Sequence, residues 1–286
     1  MLKDVIDSLA PARDFSRRSF VRTTVGSGFA AAVLPVGAQV IHTDTEGLEA
    51  GVVQIATGGL QMPAYRAQPA GRRGLPVVIV ASEIFGVHEH IADVCRRLAR
   101  QGYLAIAPEL FVRHGDAGAY TEIPKLIAEV VSKASDAQVN ADLDATVAWA
   151  AAQGADTGRL GITGFCWGGR TTWRYVAHNP AVKAGVAWYG PVARSYHPGD
   201  KTIVELAAAI KAPVLALYGA ADGGIPVETL TQLEAALKAA GHTRSEFVVY
   251  PDTPHAFHAD YRPSYRKAEA EDGWKRCLAW FRQHGV

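Results

Sequence analysis

Gly164-Phe165-Cys166-Trp167-Gly168-Gly169 sits between an apolar β-rich run, Leu160 to Thr163, and a stretch from Arg170 to His178 that reads as a helix. Strand, sharp turn and helix around Gly-x-Cys-x-Gly form the elbow that holds a nucleophile in a strained turn. Glycines two residues either side of Cys166 let the backbone fold back on itself. A buried, inert cysteine in a glycine-rich turn is the plainer alternative.

On either side of the elbow the chain keeps one rhythm. Val52 to Ile55 and Ala64 to Ala67, separated by Gly58-Gly59, predict an opening hairpin. Leu75 to Ala81 is a continuous apolar run of the kind buried on both faces of a parallel sheet. Ile91, Val94, Cys95 and Leu98 then recur at helical spacing up to Gly102, and Tyr103 to Ala107 is the next strand. Helices are predicted over Glu122–Lys133, Val139–Gln153, Val227–Ala240 and Tyr265–Gln283, and further strands over Val182–Trp188, Val214–Tyr218 and Glu246–Tyr250. This alternation, with no internal repeat or linker, predicts one doubly wound α/β domain over residues 39–286. Ligands in such sheets bind beyond the carboxyl ends of the strands, so the chemistry should follow strands.

Two residues meet that condition in the order a nucleophile needs, acid before histidine. Asp222 follows the strand ending at Tyr218, and His255 follows the strand ending at Tyr250. Asp252 is the rival acid and His258 the rival base. Taken singly, Asp222 could be a turn residue and His255 a solvated loop histidine.

At 286 residues, 49% hydrophobic, with 29 basic against 28 acidic side chains, the chain is neither disordered nor a nucleic-acid coat. The N-terminus stands apart. Ser16-Arg17-Arg18-Ser19-Phe20 precedes a mildly apolar run broken by Ser27, Pro35 and Gly37, too short to span a membrane stably. Paired arginines ahead of Val36-Gly37-Ala38 have the form of a twin-arginine export signal over residues 1–38, which would make the export machinery a partner and the periplasm, or the exterior, the destination. A cytoplasmic protein with a basic arm is the alternative.

The chain resembles the dienelactone hydrolases, a thiol branch of the α/β-hydrolase fold. The resemblance runs from about Val52 to the C-terminus and rests on the elbow, Asp222, His255, Ser82-Glu83-Ile84-Phe85-Gly86-Val87-His88 and Ala107-Pro108-Glu109-Leu110-Phe111. It implies a mostly parallel sheet with helices on both faces, and a small ester or lactone as substrate. The implied triad is Cys166, His255 and Asp222, with an oxyanion hole from the backbone N–H groups of Ile84 and Trp167. Glu83 would contact the resting thiol; a simple loop carboxylate capping the helix near His88 is the alternative. Of the family's two carboxylate-gripping arginines, Arg113 matches one; Ala259 stands where the other belongs, with Arg262 out of register, so an uncharged ester or another lactone fits as well.

Other chemistries find little support. The pairs His88/His90 and His255/His258 have zinc-like spacings without a ligating cysteine nearby, and no glycine run has a nucleotide-binding setting, so no metal or cofactor is implied. The second functional class is a non-catalytic periplasmic binding or stress protein that keeps the fold without turnover. Cys95 and Cys277 fall on the apolar sides of their helices and are expected to be separate buried thiols rather than a disulfide.

Overall fold

The computed structural model describes residues 40–286. The export signal expected over residues 1–38 lies outside the described residues.

The opening hairpin pairs β1 (Leu48–Thr57) with β2 (Leu60–Pro69), Thr57 opposite Leu60, so that Gly58-Gly59 alone form the turn. The chain continues through β3 (Pro76–Ala81), α1 (Glu89–Arg100), β4 (Leu104–Pro108), α2 (Ile123–Glu129), α3 (Asp136–Ala152), β5 (Asp156–Phe165) and α4 (Trp167–His178). Then follow β6 (Val182–Trp188), a short α5 (Ile203–Leu206), β7 (Val214–Gly219), α6 (Val227–Ala239), β8 (Glu246–Tyr250) and α7 (Lys267–Gln283). One eight-stranded sheet results, in the order β1-β2-β4-β3-β5-β6-β7-β8. The hairpin joins it antiparallel through β2 and β4, and every other pairing is parallel.

Burial explains the parallel core. Val77 to Ala81 and all of β4 are buried, as β-branched and small side chains on a sheet covered on both faces must be. α1 packs on β2 and β4, α4 on β5 and β6, and α7 on β6 and β7. Among the described residues no helix is long and apolar enough to cross a membrane.

Several elements differ from expectation, and β1, β2 and β5 each begin four residues before their expected runs. The helix expected over Glu122–Lys133 breaks at Val130 and tightens to a 3-10 turn over Val131–Lys133. α3 begins three residues earlier, because the Ser135 hydroxyl accepts the Gln138 N–H and caps it. α5, closed by a Thr202/Glu205 capping box, lies in a stretch whose sequence gave no helical period.

The elbow helix is held from outside. The Arg170 guanidinium reaches Asp136 at the start of α3 through two hydrogen bonds of 2.7 and 2.9 Å, and also donates to the Arg194 and Lys201 carbonyls. Arg174, one turn on, donates to Asn140 at 2.7 Å. These buried guanidiniums fix α4 against α3 and the segment between β6 and β7.

Candidate active site

Cys166 is the residue between β5 and α4, with φ 54° and ψ −115°. A non-glycine residue there carries strain on the order of 1–3 kcal/mol, which the surroundings must impose. They do: the Cys166 N–H donates to the Trp188 carbonyl at 3.0 Å, and its own carbonyl accepts from Gly169 and Arg170. The flanking glycines are steric requirements. A Cβ on Gly168 would lie 2.1 Å from the Ala81 carbonyl oxygen, and one on Gly164 would lie 2.2 Å from the Gly168 oxygen.

Asp222 and His255 are joined before their side chains meet. Beyond β7, Ala220 N–H donates to the Tyr250 carbonyl and Ala221 N–H to the Thr253 carbonyl, so the two loops leave the sheet stitched together. Asp222 then accepts the Gly224 N–H on Oδ1 and meets His255 Nδ1 on Oδ2 at 2.5 Å. Both residues are buried. Among the described residues His255 Nε2 has no oxygen or nitrogen partner. Burial pushes the imidazole's pKa down, but the Asp222 carboxylate and then Cys166, by charge and hydrogen bonding, more than offset it and raise it to about 10. His255 is therefore protonated at neutral pH, with Cys166 beside it. The rivals stand apart: Asp252 is exposed, and His258 is packed among Phe165, Trp188 and Trp274.

Two backbone N–H groups are the expected oxyanion donors. Ile84 follows β3, Trp167 opens α4, both are buried, and neither N–H donates to a backbone or side-chain acceptor among the described residues. Trp167 lies in the first turn of α4, whose N–H groups have no helical partner and whose dipole favours negative charge.

Glu83, beside Ile84 in the chain, is buried, but its partners are other than expected. Its Oε2 accepts the Tyr261 hydroxyl and lies 3.4 Å from His88 Nε2. Burial raises its pKa, yet the neighbouring His88 and the charges of Arg262, His88 and His90 together hold it well below the usual carboxylate range. It does not cap α1, whose N-cap, His88, makes no side-chain capping hydrogen bond.

Arg113 is committed elsewhere. Its guanidinium sits 2.6 Å from Asp142 of α3 and donates to the Thr57 and Gly58 carbonyls, bracing the hairpin turn. Arg262 is the arginine the fold brings to the site. It stacks over the rings of Phe85 and Tyr261, and the Glu83 carboxylate stabilises its charge. Sequence reasoning also missed Tyr189, whose ring meets His255 edge-on at 5.1 Å. Its place immediately after β6 was an available signal; Tyr261 had none.

Comparison with known proteins agrees with the geometry. The dienelactone hydrolase family profile matches residues 62–285. The chain belongs to the dienelactone hydrolase family. A carboxymethylenebutenolidase-like protein of Methylorubrum extorquens is 59% identical over 98% of this chain and 97% of its own length. One from Escherichia coli K12 is 52% identical over 92% and 97%. The crystal structure of a dienelactone hydrolase-like protein from Klebsiella pneumoniae superposes with a TM-score of 0.80 at 55% identity, over 82% of this chain and 99% of that one. The chain is thus a dienelactone hydrolase-like enzyme on an α/β-hydrolase fold, a hydrolase of esters or lactones. Among the described residues no group of three or more histidines, cysteines or carboxylates is arranged to hold a metal ion.

Proposed function

We propose that this enzyme cleaves a small ester or lactone through a Cys166–His255–Asp222 triad. One observation carries the reading: a hydrogen bond of 2.5 Å fixes His255 to Asp222 while its other nitrogen is left to a cysteine held at φ 54°. The proposed nucleophile is the Cys166 thiolate, paired with the His255 imidazolium. The sulphur attacks the substrate carbonyl carbon, and the C=O π electrons move onto oxygen. The Ile84 and Trp167 N–H groups stabilise that oxyanion, each contributing about 3 kcal/mol or more. Collapse expels the alkoxide, His255 Nε2–H protonates it, and a thioester remains on Cys166. A water molecule then attacks the thioester while His255 takes its proton, and the acid leaves as thiolate and imidazolium return. Asp222 orients the ring and stabilises its charge throughout.

Glu83, expected to activate the thiol, is proposed to act through Tyr261, His88 and Arg262, which hold its charge in this state. Arg113 is braced against Asp142, so carboxylate recognition, where the substrate has a carboxylate, falls to Arg262. The test is turnover of p-nitrophenyl esters of short acids and of small lactones, with Cys166→Ala as control. Wild type hydrolyses at least one, and the variant loses most of that rate; equal rates would remove Cys166 from the mechanism.

The twin-arginine reading of Arg17-Arg18 makes the periplasm the proposed place of action and the export machinery a transient partner. Fractionation of cells expressing wild type and an Arg17→Lys, Arg18→Lys double variant tests it. Wild type should reach the periplasm and the variant remain in the cytoplasm; identical distributions would sink the proposal.

A further inference from the structure

Glu109 follows β4 directly, is buried, and is used by no step above. Its backbone is anchored, N–H to the Pro63 carbonyl at 2.8 Å, so the side chain projects from a fixed point. Its Oε2 accepts the Val87 N–H at 2.8 Å, and the Phe111 N–H, two residues on, favours its charged form. Val87 closes the loop after β3, where a turn from the Gly86 N–H to the Glu83 carbonyl sets the direction of Ile84. Phe111 packs its ring on Trp167 at 4.6 Å. One carboxylate therefore holds the backbone three residues beyond Ile84, and the loop it belongs to carries the ring that packs on Trp167. The fit admits only glycine at position 86. Its φ is +76°, and a Cβ there would lie 2.7 and 2.8 Å from the two Glu109 oxygens.

We infer that Glu109 is a positioning residue, which holds the Ile84 and Trp167 N–H donors in register with the oxyanion by clamping the backbone at Val87 while its own loop seats the Phe111 ring on Trp167. This rests on the proposed oxyanion hole. It also implies a pH dependence. Burial, aided by Asp116, the one charged group whose field raises it, moves the Glu109 carboxyl up to about 7, against the two N–H groups that favour its charge. Above that pH the carboxylate is a charge-assisted acceptor. Below it the clamp weakens, and the added proton sits where Oε1 has no hydrogen-bond partner among the described residues.

The test is steady-state kinetics from pH 5.5 to 9 on an ester that wild type turns over, for Glu109→Gln, Glu109→Ala and Cys166→Ala. Since the clamp acts on groups that bind developing charge, it should appear in kcat and not in KM. Wild-type kcat is expected to rise through about pH 7. Glu109→Gln, fixed in the neutral form, should keep the low-pH rate and lose the rise; Glu109→Ala should lose kcat at least tenfold with KM within twofold. If Glu109→Ala fails to fold, the pH profile of Glu109→Gln decides. An inactive Cys166→Ala beside Glu109 variants with wild-type kcat and profile, or a change confined to KM, would overturn this inference alone. A fully active Cys166→Ala would overturn the triad reading and this inference with it.

Discussion

The charge state of His255 is set by opposed effects on one ring, and that makes Asp222 separable from the rest of the site. Burial alone would leave the imidazole neutral; the carboxylate and Cys166 bring it to about 10. Asp222→Asn keeps the shape and a hydrogen-bonding oxygen but removes the charge, so the His255 pKa should fall. kcat/KM should drop by roughly 10³–10⁴, the scale of removing the acid from such a triad. In the proposed triad Cys166 depends on the same imidazolium, so its alkylation by iodoacetamide at pH 7 should slow in step. Cys95 and Cys277 serve as internal references: both are free and buried, and burial raises both their pKa values. NMR titration of the ring and mass-spectrometric mapping of the alkylated thiols make the check. An unchanged ring titration in Asp222→Asn would show that the carboxylate does not hold the charge.

At the scale of elements, what the sequence makes legible is whatever depends on local pattern. The strands Val182–Trp188 and Glu246–Tyr250 carry the boundaries that their apolar runs predict; the first is buried except at Lys183, and the second, at the sheet edge, is half-buried after an exposed Glu246. Cys166, Asp222 and His255 were legible for a related reason: each follows a strand, and parallel topology carries all three to one edge. What stayed hidden depends on partners far along the chain. Arg113 matches a family arginine by local motif, but its charge is answered by Asp142, 29 residues on, which no local pattern reveals. Glu83 finds Tyr261 178 residues away, and the motif that singled Glu83 out holds no trace of that hydroxyl. The start of α3 was missed because apolar periodicity first shows at Val139, while Asp136 in its first turn answers Arg170 of the elbow helix. Apolar periodicity locates an element; charge pairing decides how elements are locked together.

For the molecule as a whole, the buried histidines set how stability responds to acid. His258 is buried, with Nδ1 unpartnered and its ring against Phe165 at 5.0 Å and Trp188 at 4.5 Å. Burial first, then the charges of His90 and Arg97, hold its pKa well below the ordinary value of 6.5; His88 is also lowered, again chiefly by burial. For a group whose folded pKa is depressed in this way, the unfolded chain takes up a proton below pH 6.5 that the folded protein refuses. Stability therefore falls as pH drops, by up to about 1.4 kcal/mol per pH unit for each such histidine. His255 has the opposite sign. Its folded pKa is raised to about 10, so its contribution is complete below pH 6.5 and is lost as pH rises through 10. His258→Phe keeps an aromatic ring in the same slot, needs no hydrogen bond there and cannot be charged. Relative to wild type it should flatten the loss of Tm between pH 7 and 5.5 by roughly 2–4 °C per pH unit, given the entropy of unfolding a domain of this size. The alkaline loss, which belongs to His255, should remain. Thermal unfolding of both proteins across pH 5–10 makes the comparison, and parallel acid limbs would show that His258 is not the group that refuses the proton.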